Sequence, residues 1–324
     1  MTRTVVGVLR GGTSSEYDLS LKTGAAMISA LLPERYDVRD IFIDTSGLWH
    51  LRGVPSTPAG ALAQLDVALN ALHGGIGEDG TVQRILQRAG VPYAGSTAPA
   101  SSLALNKIRA REILGRAGLS MPDAVSFSLD DDLTTADMAR RTFARFGPPY
   151  IVKPPSEGAS LGIRIADTLR DLPDTIGDTL DRFGAAQVQQ LLRGSEASVA
   201  VIEQFRNEDL YALPPVRVVL PEGARVIERA HHDAGVLRHI VPSDFSHEQK
   251  HALMDATRLA HRALGLSHVS RADFIVTSRA VYLLEVNATP KLHPGSVLPL
   301  MLESVGSSVP EFLEHLIRLA REAR

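Results

Sequence analysis

Two apolar runs that lead into paired glycines, the first of them β-branched, each followed by a helical pattern, constrain this chain more than any other feature. Thr4–Leu9 leads into Gly11-Gly12 and is followed by helical spacing over Leu19–Leu32. Leu65–Leu72 leads into His73-Gly74-Gly75 and is followed by a helical pattern over Gly80–Ala89. Between and after them, Tyr36–Ile43 alternates like a strand and Val91–Gly95 reads as a short one. Strands that alternate with helices need crossover connections, which gives a parallel sheet covered by helices. Residues 1–100 are therefore expected to form an N-terminal parallel α/β domain.

Beyond residue 100 the pattern changes. Ser101–Ala117 predicts one long helix stopped by Gly118, Met121–Ser126 an extended segment, and Tyr150–Lys153 a strand entering the loop Pro154–Gly162. With a further strand over Ala186–Leu192, residues 101–190 read as a small α+β unit. Residues 191–324 hold four strand-like runs: Ser198–Glu203, Arg225–Arg229, Ala272–Val276 and Tyr282–Val286. A helix over His247–Leu264 opens with Ser246 and has Gln249 three residues later, a capping-box pattern. Pro310–Arg321 reads as a closing amphipathic helix.

Composition removes several function classes. The 324 residues are 44% hydrophobic and carry a net charge of −3, so the chain is globular and lacks the basic excess of a nucleic-acid binder. No apolar stretch reaches the ~18 residues of a membrane span, and Met1–Gly12 lacks a signal-peptide pattern. Cysteine is absent, which excludes thiolate catalysis and Cys-ligated zinc. A cytoplasmic protein is expected. Only five lysines occur, at 22, 107, 153, 250 and 291, so each one kept in an arginine-biased chain is of interest.

Two familiar motifs read as false. Gly75–Gly80 fits G-x-G-x-x-G, yet no acidic residue follows at the ribose distance, and Glu78 and Asp79 inside the loop would repel a pyrophosphate. His247–His251 fits H-E-x-x-H, but the capping box puts it in the exposed first turn of a helix. The informative cluster lies later. Asp273 sits on a β-like run, and Glu285 and Asn287, two apart on a strand, share one face. Two carboxylates and an amide oxygen in apolar surroundings form a hard-oxygen set suited to Mg²⁺.

At these residues the chain resembles the D-alanine–D-alanine ligase family of the ATP-grasp superfamily. The resemblance runs in order through Gly11–Glu16, Leu72–Gln83, Val91–Ser96, Asn106-Lys107, Val152–Pro154 with Glu157-Gly158, Gly194–Glu196, and Arg271, Asp273, Glu285 and Asn287. It implies a three-domain ATP-grasp architecture, α/β and α+β, with ATP held between the last two domains. By the same resemblance, Lys107 and Lys153 meet the nucleotide phosphates, Gln189 faces the adenine amine and Glu196 binds ribose. Glu157 and Ser160 belong to the glycine-rich loop Ser156–Gly162 that closes over the phosphates. Asp273, Glu285 and Asn287 hold two Mg²⁺, or Mn²⁺ in their place, and Arg271 stabilises the transferring phosphoryl group. Glu16 binds the first substrate's ammonium, His73 contacts substrate, and Ser296, with Val297 beside it, holds the second amino acid's carboxylate. The implied reaction joins two amino acids through an acyl phosphate, for peptidoglycan precursor synthesis, in a homodimer. A ligase of another pathway and a non-catalytic nucleotide binder are the alternatives.

The departures fall on the substrate side. The family's loop serine is Ala159 here, with Ser160 adjacent. Its Ala-Lys-Tyr is Ala230-His231-His232, which makes His231 and His232 the candidates for the catalytic roles of that loop. A glycine whose backbone N–H serves the oxyanion site is Lys291. The sequence leaves open whether these changes are drift or a changed substrate.

Overall fold

The computed structural model describes residues 3–158, 160–233 and 235–322. These residues form three sheets. The first is built from β1 (Thr4–Gly11), α1 (Tyr17–Ala30), β2 (Tyr36–Ile43), β3 (Trp49–Leu51), β4 (Val54–Ser56), α2 (Pro58–Leu62), β5 (Val67–Asn70), α3 (Thr81–Arg88) and β6 (Tyr93–Ala94). Its order is β4-β3-β2-β1-β5-β6. Strands β2, β1, β5 and β6 run parallel, as the strand–helix alternation predicts, and β3 and β4 extend the edge as an antiparallel hairpin. Gly11 closes β1 at a φ of 92°, and a Cβ there would lie 2.1 Å from the Ile43 carbonyl oxygen. Only glycine fits that approach, which turns the chain toward Glu16.

The helix expected over Ser101–Ala117 is two helices, α4 (Ala98–Leu105) and α5 (Lys107–Arg116). Asn106 breaks them with extended backbone, and its side chain accepts the Arg109 N–H at 3.1 Å as the cap of α5. An asparagine satisfies an orphan donor better at a cap than in a helix interior.

The second sheet comprises β7 (Ala124–Ser128), β8 (Tyr150–Lys153), β9 (Arg164–Ala166) and β10 (Ala185–Gln190). Its order is β7-β10-β8-β9, all antiparallel, with α6 (Thr135–Phe143) and α7 (Leu172–Phe183) on one face.

The third sheet holds β11 (Ser195–Phe205), β12 (Glu208–Ala212), β13 (Val216–Val219), β14 (Arg238–Ile240), β15 (Val269–Val276) and β16 (Val281–Asn287). Its order is β14-β13-β11-β15-β16, with β12 also paired to β11. The strand expected at Arg225–Arg229 is absent; the segment is irregular and enters α8 (Arg229–Asp233). Both edges of β13, the strand before it, are already taken, by β11 and β14, so the segment cannot pair beside β13. Helix α9 (His247–Ala263) packs on the third sheet, and its Ser246–Gln249 capping box is formed. The closing helices are α10 (Val297–Ser304) and α11 (Val309–Glu322). Phe312, Leu316 and Ile317 of α11 share one core with Val6 and Val67 of the first sheet and Ile202 of the third. The two ends of the chain are thus packed together.

Candidate functional site

A cavity of about 710 Å³ opens between the second and third sheets and reaches the loop after β1. The strands fix what faces it. Ser198 is the register partner of Asp273 across β11 and β15, Asp273 of Glu285 across β15 and β16, and Arg271 of Asn287. Three neighbouring strands therefore bring the polar set to one place, although it spans almost ninety residues of sequence.

Asp273 is heavily bonded. Arg271 donates to both its oxygens, Nε to Oδ1 at 3.0 Å and Nη2 to Oδ2 at 2.7 Å. Ser198 Oγ donates to Oδ1 at 2.6 Å, and Asn287 Nδ2 to Oδ2 at 3.1 Å. Because the Asn287 amide nitrogen is directed at Asp273, its oxygen is the atom it offers to a cation. Glu285 lies 3.7 Å from Lys107 Nζ. Burial favours its neutral form, but Lys107, Lys153, Arg271 and Lys291 outweigh that and hold it below the usual carboxylate range. Burial, then Asp273 and Glu285, push Glu196 up to about 8. Such converging carboxylates fit a divalent cation held by Asp273, Glu285 and the Asn287 oxygen.

Cations line the opposite wall. Lys107 opens α5, its backbone N–H donating to the Pro155 carbonyl at 2.9 Å and its ammonium to the Glu157 carbonyl at 2.5 Å. Lys153 ends β8 and is buried; burial and then the Lys107 charge push it down to about 8. Gln189 on β10 is buried beside the β10–β11 connection, where Gln190, Leu191 and Leu192 also face the cavity. Burial, more than its charged neighbours, raises the Glu157 carboxyl. Ser160, Glu196, His231, Ser296 and Val297 line the same space.

Family models for the D-ala D-ala ligase C-terminus and N-terminus match residues 113–318 and 52–96. The D-alanine–D-alanine ligase of Desulforudis audaxviator (strain MP104C) is 35% identical over 98% of this chain and 98% of its own length. The chain belongs to the D-alanine–D-alanine ligase family. The ligase of Geotalea uraniireducens (strain Rf4) is 34% identical over 97% of this chain and 95% of its own length. The solved D-alanine–D-alanine ligase of Bacillus anthracis, in complex with ATP, superposes with a TM-score of 0.81 at 24% identity, covering 99% of this chain and all of that one. The ligase of Coxiella burnetii gives 0.86 at 23%, covering 100% and 95%. The fold is the ATP-grasp architecture expected from the sequence.

Against that family, two residues, Glu16 and His73, stand differently from expectation. Glu16 is buried, but its carboxylate is already paired inside the chain: Lys291 Nζ lies 3.0 Å from its Oε2. His73 is not on the cavity wall. It is buried behind it, its Nε2 2.9 Å from Thr23 Oγ1 and its Nδ1 3.6 Å from Glu78, which does line the cavity. His73 lies three residues past the end of β5 and is drawn inward with the buried Ala71 and Leu72. His231 faces the cavity while its Nδ1 accepts the Glu228 N–H at 3.0 Å, so the first turn of α8 holds the ring. Arg229 Nη2 donates to the Ser15 carbonyl at 2.6 Å and docks α8 on the loop that carries Glu16. Ala159 and the side chain of His232 lie outside the described residues.

Lys291 has no positive φ, so its backbone conformation does not demand the family's glycine. The sequence drew attention to the lost glycine and not to the side chain gained. The signal was present: Lys291 is one of five lysines, and four of these, 22, 107, 153 and 291, line this cavity. Ser198 gave no sequence signal, because its role depends on register with Asp273.

Proposed function

We propose that the chain is an ATP-dependent carboxylate–amine ligase of the D-alanine–D-alanine ligase type, which activates an acyl donor and joins it to a D-amino acid for peptidoglycan precursor synthesis. The observation that carries this is the convergence of Lys107, Lys153, Arg271, Asp273, Glu285 and Asn287 on one cavity between two sheets. Relatives that share about a third of the sequence over nearly its whole length are named D-alanine–D-alanine ligase.

In this reading the residues of the chain have the following work. Lys107 and Lys153 bind the nucleotide phosphates, and the loop with Glu157 and Ser160 covers them. The Gln189 oxygen accepts from the adenine amine and Glu196 binds ribose. Asp273, Glu285 and Asn287 would hold Mg²⁺, which would supply neutralisation of the phosphate charge. Arg271, kept charged by Asp273, offers positive charge to the oxygens of the transferring group. A donor carboxylate oxygen attacks the γ-phosphorus as the bond to the bridging oxygen breaks and ADP leaves. The acceptor amine then attacks the acyl carbon, inorganic phosphate leaves, and one proton is released. Ser296 and Val297, at the start of α10, orient the acceptor carboxylate, for which unpaired helix N–H groups are suited. Glu16 marks the donor subsite, with His73 placing Glu78 from behind. His231 and His232, on α8, stand where the family has the Lys and Tyr of its Ala-Lys-Tyr segment.

The units are 1–100, 101–190 and 191–324. The partners are small molecules, and the protein works as a homodimer in the cytoplasm, where ATP is supplied. Among the described residues no helix is long and apolar enough to cross a membrane.

The test is phosphate release from Mg-ATP with a panel of carboxylic-acid donors and D-amino-acid acceptors, with products identified by mass. Donor- and acceptor-dependent release with a matching amide product supports the reading. No release with any pair overturns it.

A further inference from the structure

The Glu16–Lys291 pair stands at the donor end of the cavity. One carboxylate oxygen of Glu16, Oε1, is closed in by backbone. A Cβ built on Gly158 would lie 2.1 Å from it, and one on Gly74 3.1 Å. The other oxygen, Oε2, faces the Lys291 ammonium at 3.0 Å. The side chains are 4% and 17% exposed, so solvent screens their attraction little. Lys291 is carried by the segment between β16 and α10, which also carries Ser296, whose hydroxyl donates to the His293 carbonyl at 2.6 Å with the Lys291 carbonyl 3.0 Å away. The backbone that presents Lys291 is thereby tied down.

We propose that Lys291 takes the place of a substrate ammonium beside Glu16, so that the donor subsite accepts a carboxylic acid whose α-substituent is uncharged, a 2-hydroxy acid or an N-acylated amino acid, in preference to a free amino acid. The proposal rests on the reading of this cavity as a ligase site with Glu16 at its donor end.

The physical argument is one of charge. A free amino acid brings an α-ammonium that needs a carboxylate partner. To reach Glu16 it has to displace Lys291, and the nearby carboxylates are already engaged, Glu285 by Lys107 at 3.7 Å and Asp273 by Arg271 at 2.7 Å, so the displaced ammonium has no free partner of that strength. Leaving a desolvated charge unpaired is the costly outcome. A hydroxyl or an amide at the α-carbon makes no such demand. Lys291 has three N–H donors, and with one directed at Glu16 the others are available to the donor's carboxylate or α-oxygen. The chemistry at phosphorus and at the acyl carbon is unchanged, because only the α-substituent differs.

The experiment uses the full chain as wild type, Lys291→Gly and Lys291→Met, with Mg-ATP, D-alanine or D-serine as acceptor, and isotope-labelled donors so that donor and acceptor are told apart by mass. The donors are D-lactate, N-acetyl-D-alanine and D-alanine. For the wild type, kcat/KM for an uncharged donor is expected to exceed that for D-alanine at least about tenfold. The D-lactate and N-acetyl-D-alanine arms separate the two sources. In Lys291→Gly the preference inverts and D-alanine becomes the better donor, through a lower KM, because Glu16 is released. Lys291→Met, which keeps the apolar stem, loses the preference while melting at the wild-type temperature. Wild-type use of D-alanine as the better donor, with a KM that neither substitution moves, overturns the proposal and leaves the ligase reading standing. No phosphate release from any pair overturns both.

Discussion

Ser198 on β11 and Asp273 on β15 are register partners, and the Ser198 hydroxyl donates to Asp273 Oδ1 at 2.6 Å across that ladder. Hydrogen bonds to ionised groups contribute about 1.5–3 kcal/mol, so Ser198→Ala is expected to lower the unfolding free energy by an amount in that range, read from urea melts. Groups that orient a metal-binding carboxylate affect affinity by about 10–100-fold. A Mg²⁺ titration of activity in Ser198→Ala should shift to higher concentration by a similar factor, and an unchanged titration would remove Ser198 from the metal set.

Asp273→Asn tests the metal assignment directly. The substitution keeps the shape and removes the charge that both Arg271 and a cation use. Turnover is expected to be lost while the nucleotide still binds, read by fluorescence titration with an ATP analogue. Retained turnover would sink the assignment.

The two shifted groups predict how stability of the nucleotide-free and metal-free protein follows pH. Glu196 holds its proton up to about 8 in the folded state, against 4.5 unfolded. The folded state then binds more protons between these values, and the Glu196 contribution to stability falls as pH rises through that window. Lys153 has the opposite sign. Its folded value of about 8 lies below 10.5, so the unfolded state binds more protons and stability rises from about pH 8 to 10.5. For this buried ammonium the full excursion is about 3 kcal/mol. Urea melts of Glu196→Gln and Lys153→Met should flatten the lower and upper window respectively.

Asn106→Ala removes the cap of α5 that leads into Lys107. A lost cap costs about 1 kcal/mol. Lys107 is also tethered through its own N–H to Pro155. The expected result is a modestly lower melting temperature together with a raised KM for ATP; a fall in stability with no change in KM would separate the cap from the site.

Gly158→Ala places a methyl group on Glu16 Oε1. Either the loop or the carboxylate has to move, and the Glu16–Lys291 pair breaks. Activity is expected to fall at least about tenfold, in line with core-like overpacking of 1–3 kcal/mol, and Gly158→Ser should be no better.

The parts of the fold legible in the sequence were those whose signals are local. The runs before Gly11-Gly12 and His73-Gly74-Gly75 are strands β1 and β5, and the Ser246–Gln249 pattern is a formed capping box that makes the His247–His251 motif a helix start. Local signals misled where two outcomes look alike over a short window. Periodicity runs on through Asn106, yet the helix breaks there because the side chain caps the next one. Arg225–Arg229 has strand-like composition, yet both edges of β13, the strand before it, are filled by β11 and β14.

The sequence by itself determined the α/β start, the metal-type oxygen set and the family resemblance, because each rests on residues whose type and order carry the chemistry. The tertiary structure decided which charges meet. Glu16 and Lys291 are 275 positions apart, and nothing in either neighbourhood marks them as partners. They pair because packing of the first sheet against the C-terminal core brings the loop after β1 to the segment after β16, and a buried carboxylate there holds the cation it meets.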